Sequence, residues 1–322
     1  MKLTESLKNL KNITFKYRKI LIAILILWTL WFLGLGALGG WFLSKGRLDR
    51  LPDLGPNDRI MVIAPHIDDD VISSGGLIQQ AEKIGAKVKI VYITNGDNNV
   101  RSIIEEDKTF KLNPNEFIAL GEQRMSEGEK ATELLGLTRE SLIFLGFPDG
   151  GLYPMLNKYY DPNTPFASKG TKFTFNPYSG TYKSQQSYTG SNVVADLEEI
   201  LKDLNPTIII VPHPRDRNLD HRATYLFLEK ALLEIKMRPK VFTYLIHYPQ
   251  YPPLKNLALN EFLYPPEKLF SQMGWLSFNL STEQENIKLE AIQQYASQKE
   301  LGNIYDLLIS FIKRNEIFEE IE

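Results

Sequence analysis

The stretch Arg59-Ile-Met-Val-Ile-Ala-Pro-His66-Ile-Asp68-Asp69-Asp70-Val-Ile-Ser-Ser-Gly-Gly76 is an apolar run that stops at a histidine and three carboxylates, after which a helical pattern begins. An unbroken run of Ile and Val is the mark of a parallel strand covered on both faces. A His and an Asp at its carboxyl end stand where open α/β sheets build their sites. Imidazole and carboxylate together suit a divalent metal such as zinc. One Asp after a strand would be an ordinary helix cap, favoured by the helix dipole. Three of them, one residue beyond a histidine, point to a metal site.

Outward from this stretch, strands alternate with helices. Further strands are expected over Lys87–Thr94, Ser141–Phe147, Thr207–Pro212 and Lys240–His247. Helical spacing runs over Val71–Ile84, Glu116–Leu135, Asn192–Leu204 and Leu219–Ile235, the first two closed by Gly85 and Gly136. Later come a short strand, Trp275–Leu280, and helices over Thr282–Gln298 and Ile304–Arg314. The alternation predicts an α/β fold, a Rossmann-like doubly wound and mostly parallel sheet. No Gly-x-Gly-x-x-Gly follows the first strand, so a dinucleotide fingerprint is missing. Residues 101–116 and 152–192 read as loops. The second is rich in aromatics (Tyr153, Tyr159, Tyr160, Phe173, Phe175, Tyr178, Tyr182, Tyr188) that either stack on sugar rings or pack the loop down.

A second polar stretch follows the fourth strand: His213-Pro-Arg-Asp216-Arg-Asn218-Leu-Asp220-His221. In a doubly wound sheet the first and fourth strands are neighbours at the topological switch point. The two stretches would then face each other across one crevice. A His–Asp–His set with open positions is the catalytic zinc pattern.

These two stretches resemble the paired signatures of the PIG-L/LmbE family of zinc N-deacetylases. Arg124-Met-Ser-Glu127, Leu145-Gly-Phe-Pro-Asp149-Gly-Gly-Leu and Ala291-Ile-x-x-Tyr-x-Ser297-Gln298 also look like the family, and the likeness covers roughly residues 58–318. The resemblance implies zinc on His66, Asp69 and His221, and Asp68 as the general base that takes a proton from water at the metal. It implies a supporting role behind the ligands for Asp220, with Asp70 beside it, and sugar contacts for Arg124 and Asp149. It implies cleavage of the acetamide of an N-acetylglucosaminyl group. The chain departs from the family at Ile67, at Asp70 in place of Glu, and at Asn218, where the family has the histidine that polarises the carbonyl. Asn218, His213 or His247 remain for that part, with His247, late in an apolar strand, read as structural.

The N-terminus has its own character. Residues 1–19 hold Lys2, Lys8, Lys11, Lys16, Arg18 and Lys19 against Glu5, and residues 20–43 carry no charge. A run of that length crosses a bilayer, which takes about 20 residues. The basic flank puts the N-terminus in the cytoplasm and the body outside. A signal peptide cleaved near Ala37–Gly39 is the alternative, and the length of the run favours an uncleaved anchor. The expected organisation is thus a basic tail (1–19), a transmembrane helix (20–43), a linker (44–57) and a deacetylase domain (58–322).

The net charge of −2 falls on an acidic body once the basic tail is set aside, which gives no footprint for nucleic acid. Cysteine is absent, so there is no disulfide, thiolate metal site or cysteine nucleophile. The expectation is a membrane-anchored, zinc-dependent deacetylase of an N-acetylated sugar. A non-catalytic glycan-binding protein on the same fold is the alternative, and a metal-dependent phosphohydrolase lacks the basic cluster that would hold a phosphate.

Overall fold

The computed structural model describes residues 22, 25–31, 48–99, 104, 113–253, 255–270, 274–299 and 302–321. The chain divides into two compact units, 1–48 and 49–322. In the first, residues 25–31 are helical and exposed, and the Thr29 hydroxyl donates back to the carbonyls of Leu25 (3.0 Å) and Ile26 (2.8 Å). Among the described residues no helix is long and apolar enough to cross a membrane. Most of the expected span, 20–43, lies outside the described residues.

The body is built on one sheet. Its strands are β1 (Asp49–Arg50), β2 (Arg59–Ala64), β3 (Lys87–Thr94), β4 (Leu142–Phe147), β5 (Ile208–Pro212), β6 (Lys240–Tyr244), β7 (Trp275–Asn279) and β8 (Asn315–Ile321). They lie in the order β1-β7-β8-β6-β5-β2-β3-β4. Pairings from β4 through β2 and β5 to β6 are parallel, and β8 runs antiparallel to both β6 and β7. The strand from the opening stretch and the one before His213 are direct neighbours, with Ile60 opposite Ile208 and Val62 opposite Ile210. The middle strands are buried on both sides, as their apolar runs require.

Helices are α1 (Asp69–Lys83), α2 (Pro114–Leu134), α3 (Leu152–Asn157), α4 (Gly190–Leu204), α5 (Leu219–Ile235), α6 (Glu267–Phe270), α7 (Thr282–Ile292), α8 (Ala296–Lys299) and α9 (Asn303–Ser310). One layer packs α3, α4 and α5 together, the other α1, α2 and α7. Asn113 starts α2 with a full capping box to Glu116, and Thr189 caps α4. Gly76 permits close packing, since a Cβ there would sit 2.5 Å from Cγ of Leu280.

Five expectations need correction. Asp69 and Asp70 lie inside α1 rather than ahead of it. The fifth strand ends at Tyr244, so His247 stands beyond it. The helix expected over Thr282–Gln298 breaks after Ile292, and the one expected to reach Arg314 stops at Ser310 and gives way to β8. Part of the expected linker is β1, paired with β7. Of the two readings for the aromatics of residues 152–192, packing down is the one these residues follow: Tyr178 and Tyr188 are fully buried, and Tyr153, Tyr159, Tyr160 and Tyr182 pack against the core.

Candidate active site and metal centre

The turns after β2, β4, β5 and β6 meet at the carboxyl edge of the sheet. His66 follows β2, Asp149 follows β4, Asp216 to His221 follow β5, and His247 follows β6. Nδ1 of His66 and Nε2 of His221 each lie 3.2 Å from the same oxygen, Oδ2 of Asp69. The two rings are 5.3 Å apart. The Asp69 carboxylate is placed by the backbone N–H of His66, which donates to it at 2.9 Å.

His66 has a second flank. Its Nε2 lies 3.4 Å from Oδ1 of Asp149 and 3.6 Å from Oδ2 of Asp220. Two acidic groups therefore converge on one imidazole, His66–Asp69–His221 and His66–Asp149–Asp220. A ring whose Nε2 proton is drawn toward carboxylates turns a lone pair on Nδ1 to the other side, the arrangement that orients metal-ligating histidines. Asp220 is in turn fixed by two backbone donors, Gly150 (2.6 Å) and Leu152 (3.1 Å). That contact ties the Pro148–Gly151 turn to the start of α5.

The electrostatics match the geometry. Burial pulls His66 down, but Asp149, Asp220 and Asp69 outweigh it and hold its pKa well above the usual imidazole value. Burial also opposes charge on His221, yet Asp69 and Asp216 hold it up at about 9. Asp69 resists the upward push of burial because His221 and His66 face it, and it stays well below the ordinary carboxylate range. The same carboxylates that favour protons on these two rings would favour a cation between them.

Asp68 lies beside this centre, almost buried, with its Oδ2 3.0 Å from Nη2 of Arg124. Burial pushes its pKa up and Arg124 pulls it back, leaving it at about 6. Arg124 is itself only 4% exposed. Its guanidinium also donates to the carbonyls of Ile67 (2.7 Å) and Gly96 (3.3 Å). The structure thus ties Arg124 to Asp68, where a sugar contact was expected. Asp149 does face the centre, half-buried, through His66. Asp70 points elsewhere: it accepts the Tyr92 hydroxyl at 2.7 Å and is pushed up to about 7 by burial.

The three candidates for polarising a carbonyl separate clearly. Asn218 is the N-cap of α5, its Oδ1 accepting the backbone N–H of Asp220 at 2.8 Å. His213 is fully buried and stacked on Trp275. Its Nε2 contacts Glu319 at 2.6 Å and its Nδ1 accepts from the Arg215 N–H at 2.9 Å. Both ring nitrogens are engaged, so His213 is not brought into the centre. His247 is: its ring stands edge-on to His221 with centroids 4.8 Å apart. Sequence reasoning also passed over Asp216, whose Oδ2 lies 3.2 Å from Nδ1 of His221. Its signal was an extra carboxylate in a stretch already dense with polar groups.

Comparison with known proteins places this centre in a family. The PIG-L family, described as GlcNAc-PI de-N-acetylase, matches residues 61–232, which contain every residue of both acidic groups. No curated protein matches the chain. Among solved structures, the 4-carboxy-2-hydroxymuconate hydratase GalB of Pseudomonas putida superposes with a TM-score of 0.53 at 15% identity, over 82% of this chain and 95% of that one. The zinc-inhibited form of teicoplanin deacetylase Orf2 gives 0.51 at 17% identity, over 81% and 97%. The A40926 pseudoaglycone deacetylase Dbv21 gives 0.50 at 18%, over 82% and 97%. At these identities the structural likeness establishes the α/β fold, and the family match carries the rest. The chain belongs to the PIG-L family and is a metal-dependent amidohydrolase of the N-deacetylase type.

Proposed function

We propose that this protein is a membrane-anchored, zinc-dependent hydrolase that removes the acetyl group from an N-acetylglucosaminyl-type sugar. The carrier is a glycan, glycolipid or glycoside, and acetate is released. The observation that carries the reading is the convergence of His66, Asp69 and His221 on one point, with the Arg124-held Asp68 beside it.

The donor set fits a metal. Both ring nitrogens of His221 are buried and make no hydrogen bond, although Nε2 lies 3.2 Å from Asp69 and Nδ1 3.2 Å from Asp216. Two imidazole nitrogens and one carboxylate oxygen suit zinc, and no fourth protein donor joins this group among the described residues, as a catalytic site requires. When bound, the ion lowers the pKa of water to about 7 and polarises a carbonyl.

The chain's own residues supply the remainder. Asp68, with a pKa of about 6, is ionised at neutral pH and takes a proton from the attacking water. The same carboxyl returns that proton to the departing amine. Arg124 keeps the base in place through its 3.0 Å contact and limits its rise in pKa. Asp149 and Asp220 fix the ring plane of His66, and Asp216 does the same for His221.

The anchor rests on sequence. The uncharged run 20–43 behind a basic tail supports a single span, followed by a linker and the domain 58–322, with the N-terminus cytoplasmic and the site outside.

The test uses the full chain in detergent, loaded with zinc and offered N-acetylated glycosides of different length and aglycone. Acetate release is expected, abolished by a chelator and by Asp68→Asn, which keeps its metal. No release from any acetylated sugar, or full activity in Asp68→Asn, would overturn the reading. Protease accessibility of the body in intact cells tests the topology.

A further inference from the structure

We infer that His247 is a catalytic residue of this centre, donating a ring N–H to the carbonyl oxygen of the scissile acetamide as negative charge develops there. The inference rests on the deacetylase reading above and goes beyond it, because His247 lies outside both sequence motifs.

His247 stands beyond the carboxyl end of β6, the strand beside β5, and so shares an edge with the turn that carries His221. Its backbone is held from both sides. Its N–H donates to Oδ2 of Asp216 at 3.0 Å, and its carbonyl accepts the N–H of Arg217 at 2.8 Å. The same Asp216 oxygen lies 3.2 Å from Nδ1 of His221. One carboxylate therefore sets the position of both histidines. Their rings meet at 74° with centroids 4.8 Å apart.

Elimination leads to the same residue. The chain has four histidines. His66 and His221 belong to the metal group. His213 spends both nitrogens on Glu319 and the Arg215 N–H. His247 is half-buried, and among the described residues its ring nitrogens make no hydrogen bond. It is absent from both His/Asp groups whose donors lie within 4.8 Å of one another, so it borders the metal group without joining it. Asn218, the other candidate donor, caps α5 through its side-chain oxygen, which leaves its amide N–H groups as the competing donor that Asn218→Ala tests.

Acyl transfer needs such a donor. A positioned N–H aimed at the developing oxyanion is worth roughly 10²–10³ in kcat, and it acts in the transition state rather than in substrate binding. A ring held by its backbone and packed edge-on against a ligand histidine is pre-set for that part.

The experiment compares wild type, His247→Ala, His247→Gln and Asn218→Ala as full-length, zinc-loaded proteins. For each, zinc per chain, kcat and KM for acetate release are measured, with binding of a phosphonamidate analogue of the N-acetyl group by calorimetry. His247→Ala is expected to keep its zinc and its KM, lose about 10²-fold or more in kcat, and lose analogue affinity by a similar factor. His247→Gln, which restores an N–H donor, recovers part of both, and Asn218→Ala loses less than His247→Ala. Zinc lost in step with activity would make His247 a ligand and overturn the role. So would an unchanged kcat in His247→Ala while wild type is active. A wild type that releases no acetate from any acetylated sugar overturns the deacetylase reading, and this role with it.

Discussion

Oδ2 of Asp216 lies 3.2 Å from Nδ1 of His221, and the same oxygen accepts the backbone N–H groups of Ile246 and His247 at 3.1 and 3.0 Å. The carboxylate is fully buried and held below its usual pKa: burial pushes it up, and His221 more than reverses that. Partners of this kind orient a ligand imidazole and raise its basicity, and their loss costs about 10–100-fold in metal affinity. Asp216→Asn is expected to weaken zinc binding by that factor while the protein stays folded. Competition against a chromophoric chelator measures it, and an unchanged zinc affinity would show that His221 needs no such support.

Arg124 sets the base through Asp68. Burial alone would push the Asp68 carboxyl high, and the guanidinium 3.0 Å away brings it back to about 6. Asp68 works only when ionised. Arg124→Ala should therefore move the acidic limb of kcat/KM to higher pH, with the fold-loss greatest on the acid side and shrinking as pH rises. A pH–rate profile of both proteins reads this directly. An acidic limb that stays in place would separate the titration of Asp68 from Arg124.

Zinc and protons compete for His221. Without metal its pKa is about 9, against 6.5 for a free imidazole, because Asp69 and Asp216 outweigh burial. A folded-state pKa raised in this way contributes stability that is full below pH 6.5 and is lost as pH rises through about 9. Metal binding must displace that proton, so zinc affinity rises over the same window. Calorimetric scans should show the Tm of the metal-free protein falling from pH 6.5 to 9 while the increment from zinc grows. Proton release on zinc addition, measured in buffers of different ionisation enthalpy, gives the same quantity independently.

How far these features were legible depends on the range of the forces that make them. The opening stretch was readable because a doubly covered parallel strand leaves a local trace, an Ile/Val run ending at His66. The adjacency of β2 and β5 followed from the alternation of strands and helices. β8 left no such trace. It reads Asn-Glu-Ile-Phe-Glu-Glu-Ile, and its inward carboxylates are satisfied by Lys288 and His213, distant in sequence. The tie between Arg124 and Asp68 spans 56 residues and gives no local sign. His247 reads as a strand residue because its neighbours are apolar, although the strand ends at Tyr244.

The hidden carboxylate of β8 carries its own prediction. Oε1 of Glu316 accepts from Nζ of Lys288 at 2.6 Å and from the Gly76 N–H at 2.7 Å, while Oε2 accepts from the Leu77 N–H at 2.9 Å. Lys288 is fully buried and Glu316 nearly so. The group pins β8 and α7 to α1, the helix whose first residue is Asp69. Removing one member of a buried pair costs about 3–5 kcal/mol, because the other charge is left unpaired. The two members differ here. Glu316→Ala strands the Lys288 ammonium and two backbone donors, whereas Lys288→Met leaves Glu316 with both of its N–H donors. Glu316→Ala should therefore be the more destabilising in urea unfolding, by more than the roughly 1 kcal/mol of a single hydrogen bond. Because α1 carries Asp69, it should also lower zinc affinity. Equal losses from the two substitutions would mean that the ion pair alone, and not the anchoring of α1, holds this side of the site.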